Sequence, residues 1–335
     1  MKGIAAAILA LLALLSGCGR QGAQDLSAFA PAEADRLVIY TSHKEEIYSP
    51  IIQEFEARTG IWVQVEAGGT GELLERIAAE GADTPCDLLF GGGVESLEAC
   101  RELFAPYVSP LAAEVAEPFR CGDGIWTPFS SLPVVLIYNP KLVRVNPPTG
   151  WASLLSPAWR GQIAFASPEV SGSSYTALAA LLQVLPGRWE DTLDAFIHNL
   201  WDRTLDGSGA VVQAVADGSC YIGVTLEETA LRGIQAGSNI AMVYPSEGTC
   251  APPDGLAVVA GCAHEENARR FIDFALGEDM QRQLVSEFAR RSVREDLAAA
   301  EDGGFLCFPY EIQQASEMRD EVIARWRRLT EGAWS

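Results

Sequence analysis

Short apolar runs that end in small polar residues, each followed by a helical stretch, constrain this chain more than any other feature. Arg36-Leu-Val-Ile-Tyr-Thr-Ser42 is β-branched and aromatic, as a buried strand requires. Ser49 and Pro50 read as the N-cap and first turn of a helix, Ile51, Ile52 and Phe55 as its apolar stripe, and Gly60 as its stop. Trp62-Val-Gln-Val-Glu66 is a second strand. Gly68-Gly-Thr-Gly71 opens a helix with Leu73, Leu74, Ile77 and Ala78 on one face, and Cys86-Asp-Leu-Leu-Phe90 is a third strand running into Gly91, Gly92 and Gly93. Strand–helix alternation predicts an open α/β sheet, mostly parallel, with right-handed crossovers. Ligands of such sheets sit beyond the carboxyl ends of the strands, which puts Ser42-His43, residues 68–71 and residues 91–93 along one edge.

A second α/β block follows. Leu132-Pro-Val-Val-Leu-Ile-Tyr138 and Gln162-Ile-Ala-Phe-Ala166 read as strands, and Ser171-Gly-Ser-Ser174 precedes an apolar helix over 175–185. Residues 211–217, 221–225 and 240–244 continue the alternation. Residues 265–291 and 309–329 are helical by periodicity, with Arg-rich faces.

The N-terminus assigns a compartment. Lys2, an apolar run over 4–15 and Leu15-Ser16-Gly17-Cys18 are too short to span a bilayer and resemble a lipoprotein signal ending at a cysteine that becomes lipidated. Residues 1–17 are therefore expected as signal peptide, Cys18 as the lipidation site, and 18–35 as a flexible tether. A formal net charge of −21 argues against nucleic acid and against adsorption to anionic lipid, leaving the acyl anchor as the one membrane contact. Seven of eight cysteines remain, none in CxxC spacing, and their pairing is not readable.

Several strings resemble the type II periplasmic-binding-protein superfamily, in the group that binds ferric ion, aminoethylphosphonate and hexose phosphate. They are Val38-Ile-Tyr-Thr-Ser-His-Lys-Glu45, Phe55-Glu-Ala-Arg-Thr-Gly-Ile61, Gly71-Glu-Leu-Leu74, Cys86-Asp-Leu-Leu-Phe90, Leu136-Ile-Tyr-Asn-Pro140, Trp159-Arg-Gly-Gln-Ile163 and Ala210-Val-Val-Gln-Ala-Val-Ala-Asp-Gly218. The resemblance implies two α/β lobes, each a mostly parallel sheet flanked by helices, joined by two strand crossings near 134–136 and 243–245. Residues 36–133 would form the first lobe, 134–245 the second, and 246–335 a return to the first with the C-terminal helices packed on it. It also implies an extracytoplasmic solute-binding subunit, expected monomeric and without cofactor, that serves the permease and ATPase of an ABC importer.

Ferric-ion binders of this group use a histidine after the first strand, a carboxylate and paired tyrosines. His43 matches the histidine, but Gly223-Val-Thr-Leu-Glu-Glu228 stands where the tyrosines belong and no acid lies within 91–93. Ser42, Thr70-Gly71 and Ser171-Gly-Ser-Ser174 instead precede helices, whose N-termini attract anions. The expected ligand is thus a small anion, a phosphorylated or phosphonylated organic compound. The residues expected to bind it are Ser42, His43, Thr70, Gly71, Gly92, Gly93, Ser171, Ser173, Ser174, Thr225 and Glu227. Ferric iron held by His43 and Glu227 is the alternative. A secreted hydrolase ranks lower, because no Gly-x-Ser-x-Gly occurs.

Overall fold

A computed structural model describes residues 31–332 except 202 and 299–303, so the expected signal peptide, Cys18 and most of the tether lie outside the described residues. The described residues from Asp35 onward form one compact unit. The strands are β1 (Arg36–Thr41), β2 (Trp62–Ala67), β3 (Leu88–Gly93), β4 (Phe104–Ala105), β5 (Thr127–Ser131), β6 (Val134–Tyr138), β7 (Ile163–Ala166), β8 (Thr204–Leu205), β9 (Ile222–Leu226), β10 (Ala241–Val243), β11 (Pro253–Val259) and β12 (Arg291–Ser292). Between them run α1 (Glu45–Thr59), α2 (Thr70–Glu80), α3 (Val94–Ala99), α4 (Gly172–Val184), α5 (Trp189–Leu200), α6 (Ser208–Ala216), α7 (Glu227–Gln235), α8 (Glu265–Leu276), α9 (Glu278–Phe288), α10 (Glu295–Ala298), α11 (Ile312–Glu317) and α12 (Arg319–Gly332).

Two sheets result. The first has the order β12-β5-β11-β3-β1-β2, with β4 paired to β11; the second has the order β10-β6-β9-β7-β8. Alternating side chains of β1 feed two cores. Leu37 and Ile39 pack with Phe55, Phe271 and Leu284, whereas Tyr40 joins Leu74, Ile77 and Leu89 on the other face. β6 does the same for the second sheet: Val134 and Leu136 meet Trp151 and Phe165, and Val135 and Ile137 meet Val211 and Val215.

The sheets are mixed, contrary to the mostly parallel expectation. β1, β2 and β3 are parallel, as are β7, β8 and β9, but β11 and β6 run against their neighbours. The cause is the double crossing. The chain leaves the first sheet after Ser131, enters the second at Val134, and returns at Pro253 in the opposite sense. The two crossings are bonded to each other, with Leu132 N donating to Pro252 O at 3.1 Å and Val134 N to Cys250 O at 3.1 Å.

Two other expectations need correction. The first helix begins at Glu45 with Lys44 as N-cap, and Pro50 lies inside it; burial of Ile47, Ile51, Ile52 and Phe55 holds the turn that a proline would otherwise weaken. The last helices do not all return to the first lobe. α8 and α9 do, through Phe271, Ile272 and Leu284. α12 packs Val322 and Trp326 into the second core and ties Arg325 to Asp194 at 2.6 Å.

Candidate functional site

The carboxyl ends of β1, β2, β3, β7, β8 and β9 all give onto one cavity of about 310 Å³ between the two sheets. Six helices start at its wall. Lys44, Gly69, Gly93, Ser171, Gly207 and Leu226, the N-caps of α1, α2, α3, α4, α6 and α7, all line it. Each helix start carries backbone N–H groups without an intrahelical partner and a partial positive charge. α1, α2, α3 and α7 carry acids in their first turns; α4 and α6 carry none. The least compensated positive ends therefore face the cavity from the second sheet, where Ser173 and Ser208 add hydroxyls.

The first-sheet side rests on a buried polar network. Asp254 accepts from Ser130 N and Ser130 Oγ, both at 2.8 Å, and from Arg290 Nη1 at 2.6 Å. Burial raises the Asp254 pKa, and the adjacent Arg290 guanidinium pulls it back. His43 lies against this pair, its Nδ1 3.4 Å from Arg290 Nη2 and its Nε2 3.4 Å from Asp254 Oδ2. Burial and the Arg290 charge hold the imidazole well below its usual pKa, so it is neutral. A guanidinium only donates, so Nδ1 accepts and the ring proton belongs on Nε2. That proton faces Asp254 Oδ2, and Nε2 is itself buried.

Of the residues singled out from sequence, Ser42, His43, Thr70, Gly92, Gly93, Ser171 and Ser173 line the cavity. Gly91 and Gly92 have φ of 106° and 89°, conformations that glycine adopts without strain, which lets the chain turn there. Four others do not line it. Gly71 is packed against the Glu169 carbonyl, and Ser174 bonds to Ser171 Oγ at 3.1 Å within its own helix cap. Thr225 points away because strand alternation gives the cavity Leu226. Glu227 is a correction: its carboxylate accepts from Arg291 Nε at 2.7 Å and Nη2 at 2.8 Å and from the Tyr244 hydroxyl. One residue on, Glu228 lines the cavity instead, bonded by Thr229 Oγ1 at 3.0 Å.

Lys44, Asp206, Ser208, Glu228, Asp254 and Arg290 are lining residues that sequence reading missed. Asp206-Gly-Ser-Gly209 ahead of an apolar helix is a cap-like signal that reveals part of this set. Asp254 and Arg290 give no local signal. Among the described residues, no tyrosine lines the cavity and no group of three His, Cys, Asp or Glu side chains is placed to hold a metal ion. No described helix is long and apolar enough to cross a membrane.

The sheets touch around the cavity. Gly71 N lies 3.4 Å from Val170 O, and Arg232 Nη2 lies 3.4 Å from Glu46 Oε1. Thr176 bonds Glu95, and Arg291 bonds Glu227. Glycine is required where the backbones meet: a Cβ on Gly71 would lie 2.1 Å from Glu169 O, and one on Gly172 would lie 2.5 Å from Thr70 Oγ1.

Comparison with known proteins agrees with this architecture. The family model for bacterial extracellular solute-binding proteins matches residues 84–303. Iron uptake protein A1 of Synechocystis is 30% identical over 290 residues, 81% of this chain and 79% of the relative. The Fe(3+)-binding periplasmic protein of Serratia marcescens is 28% identical over 266 residues, covering 76% and 77%. Among solved structures, the periplasmic binding protein AfuA of Actinobacillus pleuropneumoniae, with exogenous fructose-6-phosphate bound, superposes with a TM-score of 0.80. It is 21% identical and covers 88% of this chain and 98% of that one.

Proposed function

We propose that this chain, which belongs to the bacterial extracellular solute-binding protein family, holds a small organic anion bearing a phosphate or phosphonate group between its two sheets. As a family member it is an extracytoplasmic solute-binding protein of the ABC-transporter type. The carrying observation is the convergence of six helix starts on one cavity. The anion seats against α4 and α6, whose first turns hold no acid, with Ser171, Ser173 and Thr70 donating hydroxyl protons and Lys44 reaching the start of α6. Asp206 and Glu228 accept from hydroxyl or amine groups on the rest of the solute.

The protein delivers its solute to a permease and ATPase and carries out no chemistry of its own. Differential affinity for the closed arrangement is what drives closure. Cys18 is the lipid anchor, and the mature N-terminus should bear acyl chains detectable by mass spectrometry. Ferric iron is the competing ligand, favoured by the names of the Synechocystis and Serratia marcescens relatives.

A thermal-shift screen decides between them. A solute that binds only the folded protein, at one hundred times its Kd, adds about 2.7 kcal/mol of stability. Phosphate monoesters or phosphonates should raise the melting temperature and Fe³⁺ should not. A shift with Fe³⁺ alone would establish the iron reading.

A further inference from the structure

Glu95 is a fully buried carboxyl in the first turn of α3, on the seam between the two sheets and just behind the cavity wall at Gly93. Across the seam stands Thr176 of α4, which lines the cavity. The Thr176 hydroxyl is within bonding reach of Glu95 Oε1 and of the Gly172 carbonyl, the latter at 3.1 Å. It has one proton. An ionised Glu95 would have to share that proton with the Gly172 carbonyl, whereas a protonated Glu95 donates to Thr176 Oγ1 and leaves the threonine proton for Gly172, so that each contact is a full hydrogen bond. Glu95 Oε2 is buried without a partner, an arrangement that penalises an ionised carboxylate far more than a neutral acid.

The surroundings point the same way. Among the described residues, Arg319 of α12 is the cation acting on Glu95. Tyr175 of α4, Tyr310 and Cys250 also face it, and burial lifts all three away from ionisation. Glu98 on the same helix accepts from Trp126 Nε1, Glu317 on α11 is exposed, and Asp254 on β11 is taken by Arg290. Burial raises the Glu95 pKa to about 7, against the opposing pull of Thr176 and Arg319.

We propose that Glu95 is a proton-binding site coupled to solute capture: the sheets close around the solute together with uptake of one proton by Glu95. This rests on the closing cavity of the proposed function but not on the identity of its solute. When the seam is open, Glu95 is in water and titrates in the ordinary carboxyl range. Closure therefore favours the protonated form, and affinity is strongest below that range and weakens as pH rises towards 7, by up to about tenfold per pH unit.

Two measurements test it. Infrared difference spectra of wild type against Glu95→Gln follow the Glu95 carboxyl from pH 4 to 8, first without solute. Calorimetry with fructose 6-phosphate as probe, in buffers of different ionisation enthalpy at pH 6, then counts protons. The phosphate group of the probe titrates equally with both proteins and cancels. We expect close to one more proton taken up by wild type than by Glu95→Gln, and retention of that uptake in Thr176→Ser, which keeps the hydroxyl. If the probe gives no heat, the choice of solute has failed, and the infrared titration is repeated with Fe³⁺. Equal proton uptake by wild type and Glu95→Gln, or a Glu95 carboxyl that titrates in the same range without and with bound solute, overturns the proposal.

Discussion

Arg290 and Arg291 are consecutive, yet they serve two different regions of the molecule. Arg290 pairs with Asp254 inside the first lobe, both side chains at least 95% buried, and sets the state of His43 on the cavity floor. Arg291 pairs with Glu227 across the seam, with Tyr244 on the same carboxylate and Phe305 under the guanidinium at 4.8 Å. The first pair forms whether or not the sheets meet; the second exists only when they do. Under the proposed function, recognition and closure are thus separable, although their arginines are neighbours in sequence.

That separation can be attacked from either side. Asp254→Ala leaves a buried guanidinium without its carboxylate and should cost about 3–5 kcal/mol of folding stability, read by urea unfolding. Arg291→Ala removes a bidentate pair that is partly hydrated on the arginine side, and about 1.5–3 kcal/mol is expected. Much of that loss should appear as faster solute release in stopped-flow. If solute release stays at the wild-type rate in Arg291→Ala, the pair is not a closure contact.

Gly71→Ala touches neither pair. Its Cβ would collide with Glu169 O, so affinity should fall by about tenfold, near 1.4 kcal/mol, with little change in unfolding. Loss of folding stability without loss of affinity would place Gly71 in the core of one lobe and not on the seam.

The smallest effect concerns pH. The folded-state pKa of His43 is depressed, so its stability contribution is present above about pH 6.5 and is lost as pH falls below it, by up to about 1.4 kcal/mol per unit. His43→Gln should remove that slope in a pH series of urea melts. Glu95 has the opposite sign and acts only in the closed arrangement, which loses stability relative to the open one as pH rises towards 7.

Much of the cavity wall was legible in the sequence because strand-to-helix turns are local. Ser42, His43, Thr70, Gly92, Gly93, Ser171 and Ser173 follow a strand and lie at or beside a helix start, and the cavity forms where those ends meet. Asp254 and Arg290 were not legible. They are 36 residues apart, and only the antiparallel pairing of β11 with β5 brings Ser130 between them. Glu227 and Glu228 were exchanged because the first residue of α7 sets which side chain faces the seam and which the cavity. A composition of acids gives no such phase. The mixed sheets were hidden for a related reason, since the direction in which β11 re-enters depends on the crossing and not on its own apolar pattern.

Amide hydrogen exchange, followed by mass spectrometry while fructose 6-phosphate is added, tests the convergence of helix starts most directly. Slowed exchange is predicted together at residues 69–71, 172–174 and 208–210, on both sides of the cavity. Unchanged exchange at these three segments with phosphate esters and phosphonates, alongside protection around His43 on adding Fe³⁺, would contradict it.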